Sequence, residues 1–211
     1  MLPAHTEKQL RIMETAETLF AEKGFNGTSV RDIAERAGIN LAMVSYYFGS
    51  KDKLLEALFE SRGETTKLTL EEIEKKKGLS GMDKMNLLVD HYIHKIMSQQ
   101  CFHRVLVREQ VLNNSEAITK MILAMKKRNL EIISRIIQEG QKKGEFKKNV
   151  DIPLMMATMV GTASNLITSR YYYRELNNLQ MMSEEELDKH IQKKLSQHLK
   201  LLFKTILTHE A

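Results

Sequence analysis

From Asn40 to Gly49 the chain reads Asn-Leu-Ala-Met-Val-Ser-Tyr-Tyr-Phe-Gly, a stretch without one charge in a protein whose residues are 28% charged. At helical spacing Val44 and Phe48 fall on one side, and Ala42, Met43, Ser45 and Tyr46 fall on the other. A face of small, hydroxyl-bearing and flat amphipathic groups suits a DNA major groove. Apolar groups meet thymine methyls there, hydroxyls reach base edges, and no carboxylate is present to be repelled by phosphate. Tyr47 and Lys51 are of the types that bond phosphate oxygens, and Lys51 opens a new helix, where free N–H groups and the helix dipole also favour an anion.

Such a face needs helices to aim it. Ser29 with Asp32 fits the [ST]-x-x-[DE] capping pattern, so Thr28 or Ser29 starts a helix whose Val30, Ile33, Ala34 and Ala37 share one face. Gly38 supplies the positive φ that ends it, and Asn40 caps the next helix. So short a connection forces a sharp crossing, and Ala34 stands where a small residue is required. Before the pair, Ile12, Met13, Ala16, Leu19 and Phe20 mark a helix over Glu7 to Lys23, closed by Gly24. Its outer face, including Glu14 and Glu17, reads as solvated surface.

The spacing Ala34, Gly38, Val44 resembles the bacterial helix-turn-helix pattern. The longer run GFNGTSVRDIAERAGINLAMVSYYFGSKDKLL, from Gly24 to Leu55, resembles the DNA-binding domain of the TetR family of bacterial transcriptional regulators. The resemblance implies phosphate contacts for Ser29, Tyr47 and Lys51, and base-edge or thymine-methyl contacts for Arg31, Ala42, Met43, Ser45 and Tyr46. One departure stands out: Ser45 occupies a position where many members carry Tyr, which shortens the reach at that point.

Composition bounds the rest. The 211 residues suffice for one or two domains with a substantial core, and 10 Gly and 2 Pro favour long helices over many short strands. The formal net charge of +5 does not sit at the DNA-reading end. Residues 1–50 carry five Lys/Arg (Lys8, Arg11, Lys23, Arg31, Arg36) against six Asp/Glu (Glu7, Glu14, Glu17, Glu22, Asp32, Glu35), a net of −1. DNA binding therefore rests on placed contacts rather than bulk charge. A single cysteine, Cys101, fits a reducing compartment. With no signal peptide before the first helix and no apolar run approaching the roughly 20 residues of a membrane span, a cytoplasmic protein is expected.

Further along, Ser50 caps a helix from Lys51 to about Lys77 that buries Leu54, Leu55, Leu58 and Phe59. Helices follow from Gly81 to about Gln99, from Phe102 to Leu112 with a stop at Asn113-Asn114, and from Ser115 until Gly140 and Gly144. Asp151 with Pro153 starts a helix to about Arg174, and the capping box Ser183/Glu186 starts a last one to about residue 208. The expectation is an all-α protein of about nine helices: an N-terminal three-helix helix-turn-helix DNA-binding domain over 1–50, and a larger helical effector-binding and dimerisation domain over 51–211.

The family resemblance implies a homodimer through about 151–174 and 184–208, where small residues near Gly161 admit close helix approach. It also implies an unidentified small-molecule effector in the larger domain, with repression of an operator as the function. Met121, Met125, Met155, Met156 and Met159 line either an adaptable cavity or plain core. Polar candidates for ligand contact are His91, Tyr92, His103, Arg104, Arg108, Asn165 and Arg170. His91 and His94 at i, i+3 with Cys101 and His103 lack the paired spacing of a zinc site, so no metal and no cofactor are expected. Absence of a phosphate loop, nucleophile elbow and HExxH speaks against an enzyme. The rival from another class is an all-helical ligand- or protein-binding module without specific DNA recognition.

Overall fold

The computed structural model describes residues 5–112 and 115–208. These form ten helices: α1 (Glu7–Lys23), α2 (Val30–Ala37), α3 (Leu41–Phe48), α4 (Lys51–Lys75), α5 (Gly81–Ser98), α6 (Gln100–Leu112), α7 (Glu116–Lys142), α8 (Ile152–Thr168), α9 (Arg170–Leu176) and α10 (Glu184–Leu207). The expected stop at Asn113-Asn114 lies outside the described residues. Among those described, no strand is present and no helix is long and apolar enough to cross a membrane.

The helix count exceeds the expected nine because the helix predicted to run on to Arg174 breaks at Ser169. There the Ser169 hydroxyl donates to Asn165 O at 2.6 Å, and the neighbouring Thr168 hydroxyl sits 2.9 Å from Ser164 O. Two successive side chains bonding back to helix carbonyls compete with the backbone ladder and bend it. Helix α7 ends at Lys142, between the two glycines expected to close it, and Gly140 lies within its last turn. The Phe146 ring packs where a Cβ at Gly140 would be, so only glycine admits this approach.

Two compact units divide the chain: one up to Lys67 together with Gln100–Lys127, the other Leu68–Gln99 together with the chain from Arg128. This partition differs from a boundary at residue 50. The first unit is larger because Phe102 and Val105 of α6 and Ile118 and Ile122 of α7 join Ile12, Phe20, Ile33, Leu54 and Phe59 in one buried cluster. Phe59 and Phe102 meet edge-on, centroids 5.2 Å apart. In the second unit the α5, α7, α8 and α10 stripes converge, with Ile93, Ile136, Met155, Met159, Leu199 and Phe203 all buried.

Glu17 is not on a solvated face as expected. It is 6% exposed and accepts from Arg62 Nε at 2.9 Å, with Arg62 Nη2 at 2.8 Å, which ties α1 to α4. A buried carboxylate requires such a partner, and Arg62 lies 45 positions away, beyond any local pattern.

The turn between α2 and α3 depends on Gly38, at φ +64° and ψ 41°, whose N–H closes onto Ala34 O and Glu35 O. Gly38→Ala should lower stability by about 1–2 kcal/mol, the usual cost of a left-handed Cβ, read as an earlier urea midpoint. The space around that Cβ is occupied only by Arg11 Nη2, at 3.2 Å, a group able to swing away. An unshifted midpoint would show that the turn conformation is not required.

Candidate nucleic-acid interface

Each element of the reading head is fixed locally as its sequence dictates. Ser29 caps α2: its Oγ accepts from Asp32 N–H at 3.0 Å, while Asp32 Oδ2 accepts from Ser29 N–H at 2.7 Å. The Ser29 hydroxyl also donates to Asp32 Oδ2 at 2.6 Å, and that bond first, then the Ser29 N–H, holds the Asp32 carboxyl below its ordinary range. Asn40 Oδ1 accepts from Ala42 N–H at 2.9 Å and starts α3. Arg36 of α2 forks onto Glu22 of α1 at 2.5 and 3.1 Å, and that hydrogen bond is the main reason the Glu22 carboxyl is held low.

On α3 only Val44 is fully buried, Phe48 and Tyr47 being half-buried against the head's core. The opposite side carries Ala42, Ser45 and Tyr46 in solvent, with Met43 half-exposed beside them and Tyr46 79% exposed. Tyr46 and Tyr47 meet edge-on, centroids 5.3 Å apart. Ser29 and Arg31 are exposed at the start of α2. The eight residues assigned to DNA thus all belong to the first unit. Seven of them present exposed or half-exposed side chains without a tight ionic commitment; the eighth, Lys51, is bound to backbone carbonyls at 2.8 Å.

Thr28, which the sequence offers only as a possible cap, is buried. Its hydroxyl sits 2.8 Å from Gly24 O and 3.2 Å from Leu19 O, securing the turn that delivers Ser29. The signal available was its position directly before a capping box.

The residues proposed for ligand contact do not fall together. His103, Arg104 and Arg108 belong to the first unit, and His91, Tyr92, Asn165 and Arg170 to the second. His103 is buried, which pushes its imidazole below the ordinary value. Arg104 is exposed, and the Arg108 guanidinium covers Gly24. In the second unit Arg170 pairs with Glu184 and Asp188 at 2.6 and 2.8 Å, joining α9 to α10. Asn165 is exposed on α8. Tyr92 packs against the core, and burial raises its phenol. His91 is lowered by burial first and then by Lys95 and His94, and its Nε2 is shielded from solvent without a hydrogen-bond partner. Gln99 Oε1 and Asn129 Oδ1 share that condition, with no local sequence pattern to mark either. Among the described residues, no group of three or more His, Cys, Asp or Glu could hold a metal ion.

A short, uncharged helix presented by a capped three-helix core defines a helix-turn-helix reader of duplex DNA. The profile described as "Bacterial regulatory proteins, tetR family" matches residues 12–58, and that described as "Tetracyclin repressor-like, C-terminal domain" matches residues 82–195. The chain belongs to the TetR family of transcriptional regulators. It is 34% identical over 139 residues to the probable HTH-type transcriptional regulator YttP of Bacillus subtilis (strain 168), covering 64% of this chain and 66% of that one. It is 26% identical over 163 residues to the fatty acid metabolism regulator protein of the same organism, covering 77% and 82%. Its fold is similar to the crystal structure of the transcriptional regulator FadR from Bacillus subtilis in complex with stearoyl-CoA, with a TM-score of 0.64 at 22% identity over 90% of this chain and 96% of that one.

Proposed function

We propose that this chain is a homodimeric repressor that binds an operator through α3 and leaves it when a small molecule occupies the second unit. The observation that carries the reading is the α3 face itself: uncharged, solvent-facing, and held by a core that commits Val44 inward. Ser29 and Tyr47 serve as phosphate contacts, and Arg31, Ala42, Met43, Ser45 and Tyr46 read base edges or thymine methyls. Residues 1–50 do the reading and 51–211 the regulation.

The dimer reading is supported by an exposed face on α8. Leu154 is 64% exposed, Ala157, Val160 and Gly161 continue the same side, and nothing lies within 4 Å of a Cβ built on Gly161. On α10, Leu201 is 66% exposed. Helices Ile152–Thr168 and Glu184–Leu207 would pair with their symmetry mates and set two reading heads about 34–36 Å apart for successive major grooves.

The ligand reading is supported by His91, Gln99 and Asn129, whose shielded polar atoms lack partners in a unit otherwise packed with Met, Ile and Leu. Unsatisfied buried polar atoms are costly, and a ligand's polar groups would relieve them. A fatty acyl thioester is the class favoured by the relatives: one is named for fatty acid metabolism, and a solved structure of similar fold holds stearoyl-CoA. Linkage then requires that the ligand weaken operator binding and the operator weaken ligand binding by the same factor.

Fluorescence anisotropy against the DNA upstream of the protein's own gene and a scrambled control, at near-physiological salt, should show a preference on the order of a thousandfold. Stearoyl-CoA should release the bound duplex. Equal weak binding to both duplexes would favour the binding module without DNA recognition, and equal ligand affinity with and without operator would sink the coupling. For the dimer, Ala157→Glu combined with Leu201→Glu should sediment as a monomer with unchanged helicity by circular dichroism and lose operator binding. A variant that remained dimeric would place the interface elsewhere.

A further inference from the structure

Lys51 is the first residue of α4, and its ammonium turns back toward the first helices rather than outward. Nζ donates to Phe25 O and to Thr28 O, each at 2.8 Å, and lies 4.2 Å from the centroid of the Phe25 ring. An ammonium has three N–H donors. Two are used by carbonyls of the turn between α1 and α2, and the ring's π face lies against the same cation. Phe25 is itself anchored, its ring 5.4 Å from that of the buried Phe20.

The positions joined are telling. Thr28 directly precedes Ser29, the cap of α2, and Lys51 follows α3 by only Gly49 and Ser50. One side chain therefore connects the residue before the helix pair to the residue after it, 23 positions apart. From the other side, the Thr28 hydroxyl is bonded to the end of α1. The two Lys51 bonds thus close the α2–α3 pair as a loop.

We propose that Lys51 is a positioning residue, which fixes the α1–α2 turn and so the angle of α3, instead of a phosphate contact as its place at a helix start suggests. The link to operator binding rests on the proposed DNA-reading role of α3; the link to the turn does not. Arginine cannot take over, because a planar guanidinium fork does not place one donor centre between two converging carbonyls, although it keeps the charge and bonds phosphate well. Lysine type and lysine charge are thus separable.

The test compares wild type, Lys51→Met and Lys51→Arg in two readouts. In the free protein, amide hydrogen exchange over residues 24–32 should rise by about tenfold or more in both variants, the scale of roughly one lost net hydrogen bond. Operator affinity should fall in both by about tenfold, while the slope of log affinity against log salt stays at the wild-type value. The proposal is overturned if exchange over 24–32 is unchanged, Lys51→Arg binds like wild type, and Lys51→Met loses about one unit of salt slope, the mark of a single phosphate contact. Should wild type show no operator preference, the DNA-reading role fails. The exchange measurement still decides whether Lys51 holds the turn.

Discussion

Helix α3 runs only from Leu41 to Phe48 and buries one side chain fully, Val44. Isolated helices of that length do not persist in water, so its existence and its direction are both supplied by what lies beneath it. Everything else in the first unit follows from that dependence. Ile12, Ala16, Leu19 and Phe20 of α1, Ile33 and Ala34 of α2, and Leu54, Leu55 and Leu58 of α4 are each at most 3% exposed. They form the platform against which a short helix, gripped by Val44 and the half-buried Tyr47 and Phe48, is held with its other face in solvent. Polar bonds then fix the azimuth: the Ser29 and Asn40 caps set where α2 and α3 begin, and Arg36–Glu22 and Arg62–Glu17 tie α2 and α4 to α1.

The second unit follows a different economy of contacts. Its core is built from long helices with continuous stripes, and polar side chains fasten their ends. Lys84 is 5% exposed and donates to Glu74 O at 2.8 Å at the end of α4, with Glu139 of α7 at 3.2 Å. Arg135 forks onto Glu74 at 2.6 and 2.9 Å, and that bond is the main cause holding the Glu74 carboxyl low. Asp90 takes Ser196 and Lys200 of α10 at 2.7 and 2.5 Å. Helix α4 contributes its first part to one unit and its last part to the other.

What was legible in the sequence was local. The capping boxes at Ser29 and Ser183, the left-handed glycine at 38, the Asn40 cap and the apolar spacing of α1 to α3 involve residues within a few positions of one another, and each stands where expected. Features set by distant partners were hidden. Glu17 looked like surface because Arg62 is far along the chain. Lys51 looked like a free terminal cation because Phe25 and Thr28 precede it by a whole helix pair. That Gly140 also makes room for Phe146 was hidden, and Ser80, whose capping box with Asp83 starts α5, lay among glycines that masked it. The membership of α6 in the head's core was invisible for the same reason: Phe102 is recognisable as apolar, but only the fold says which helices it meets. Ligand contacts were least legible, since arginine and histidine on a helix look alike whether they enter a cavity, pair with a neighbour as Arg170 does, or lie flat on a turn as Arg108 does.

The central claim is that the outward face of α3, joined by Arg31 of α2, chooses the bases while Ser29 and Tyr47 hold the duplex. It is tested most directly by selecting bound duplexes from a randomised DNA pool with wild type, Met43→Ala and Ser29→Ala in parallel. The account predicts that wild type recovers a two-fold-related sequence, that Met43→Ala relaxes the preference at one or two positions in each half, and that Ser29→Ala recovers the wild-type sequence from less bound material. Identical sequences from wild type and Met43→Ala, also when the experiment is extended to Tyr46→Ala, would contradict it and move base recognition away from α3.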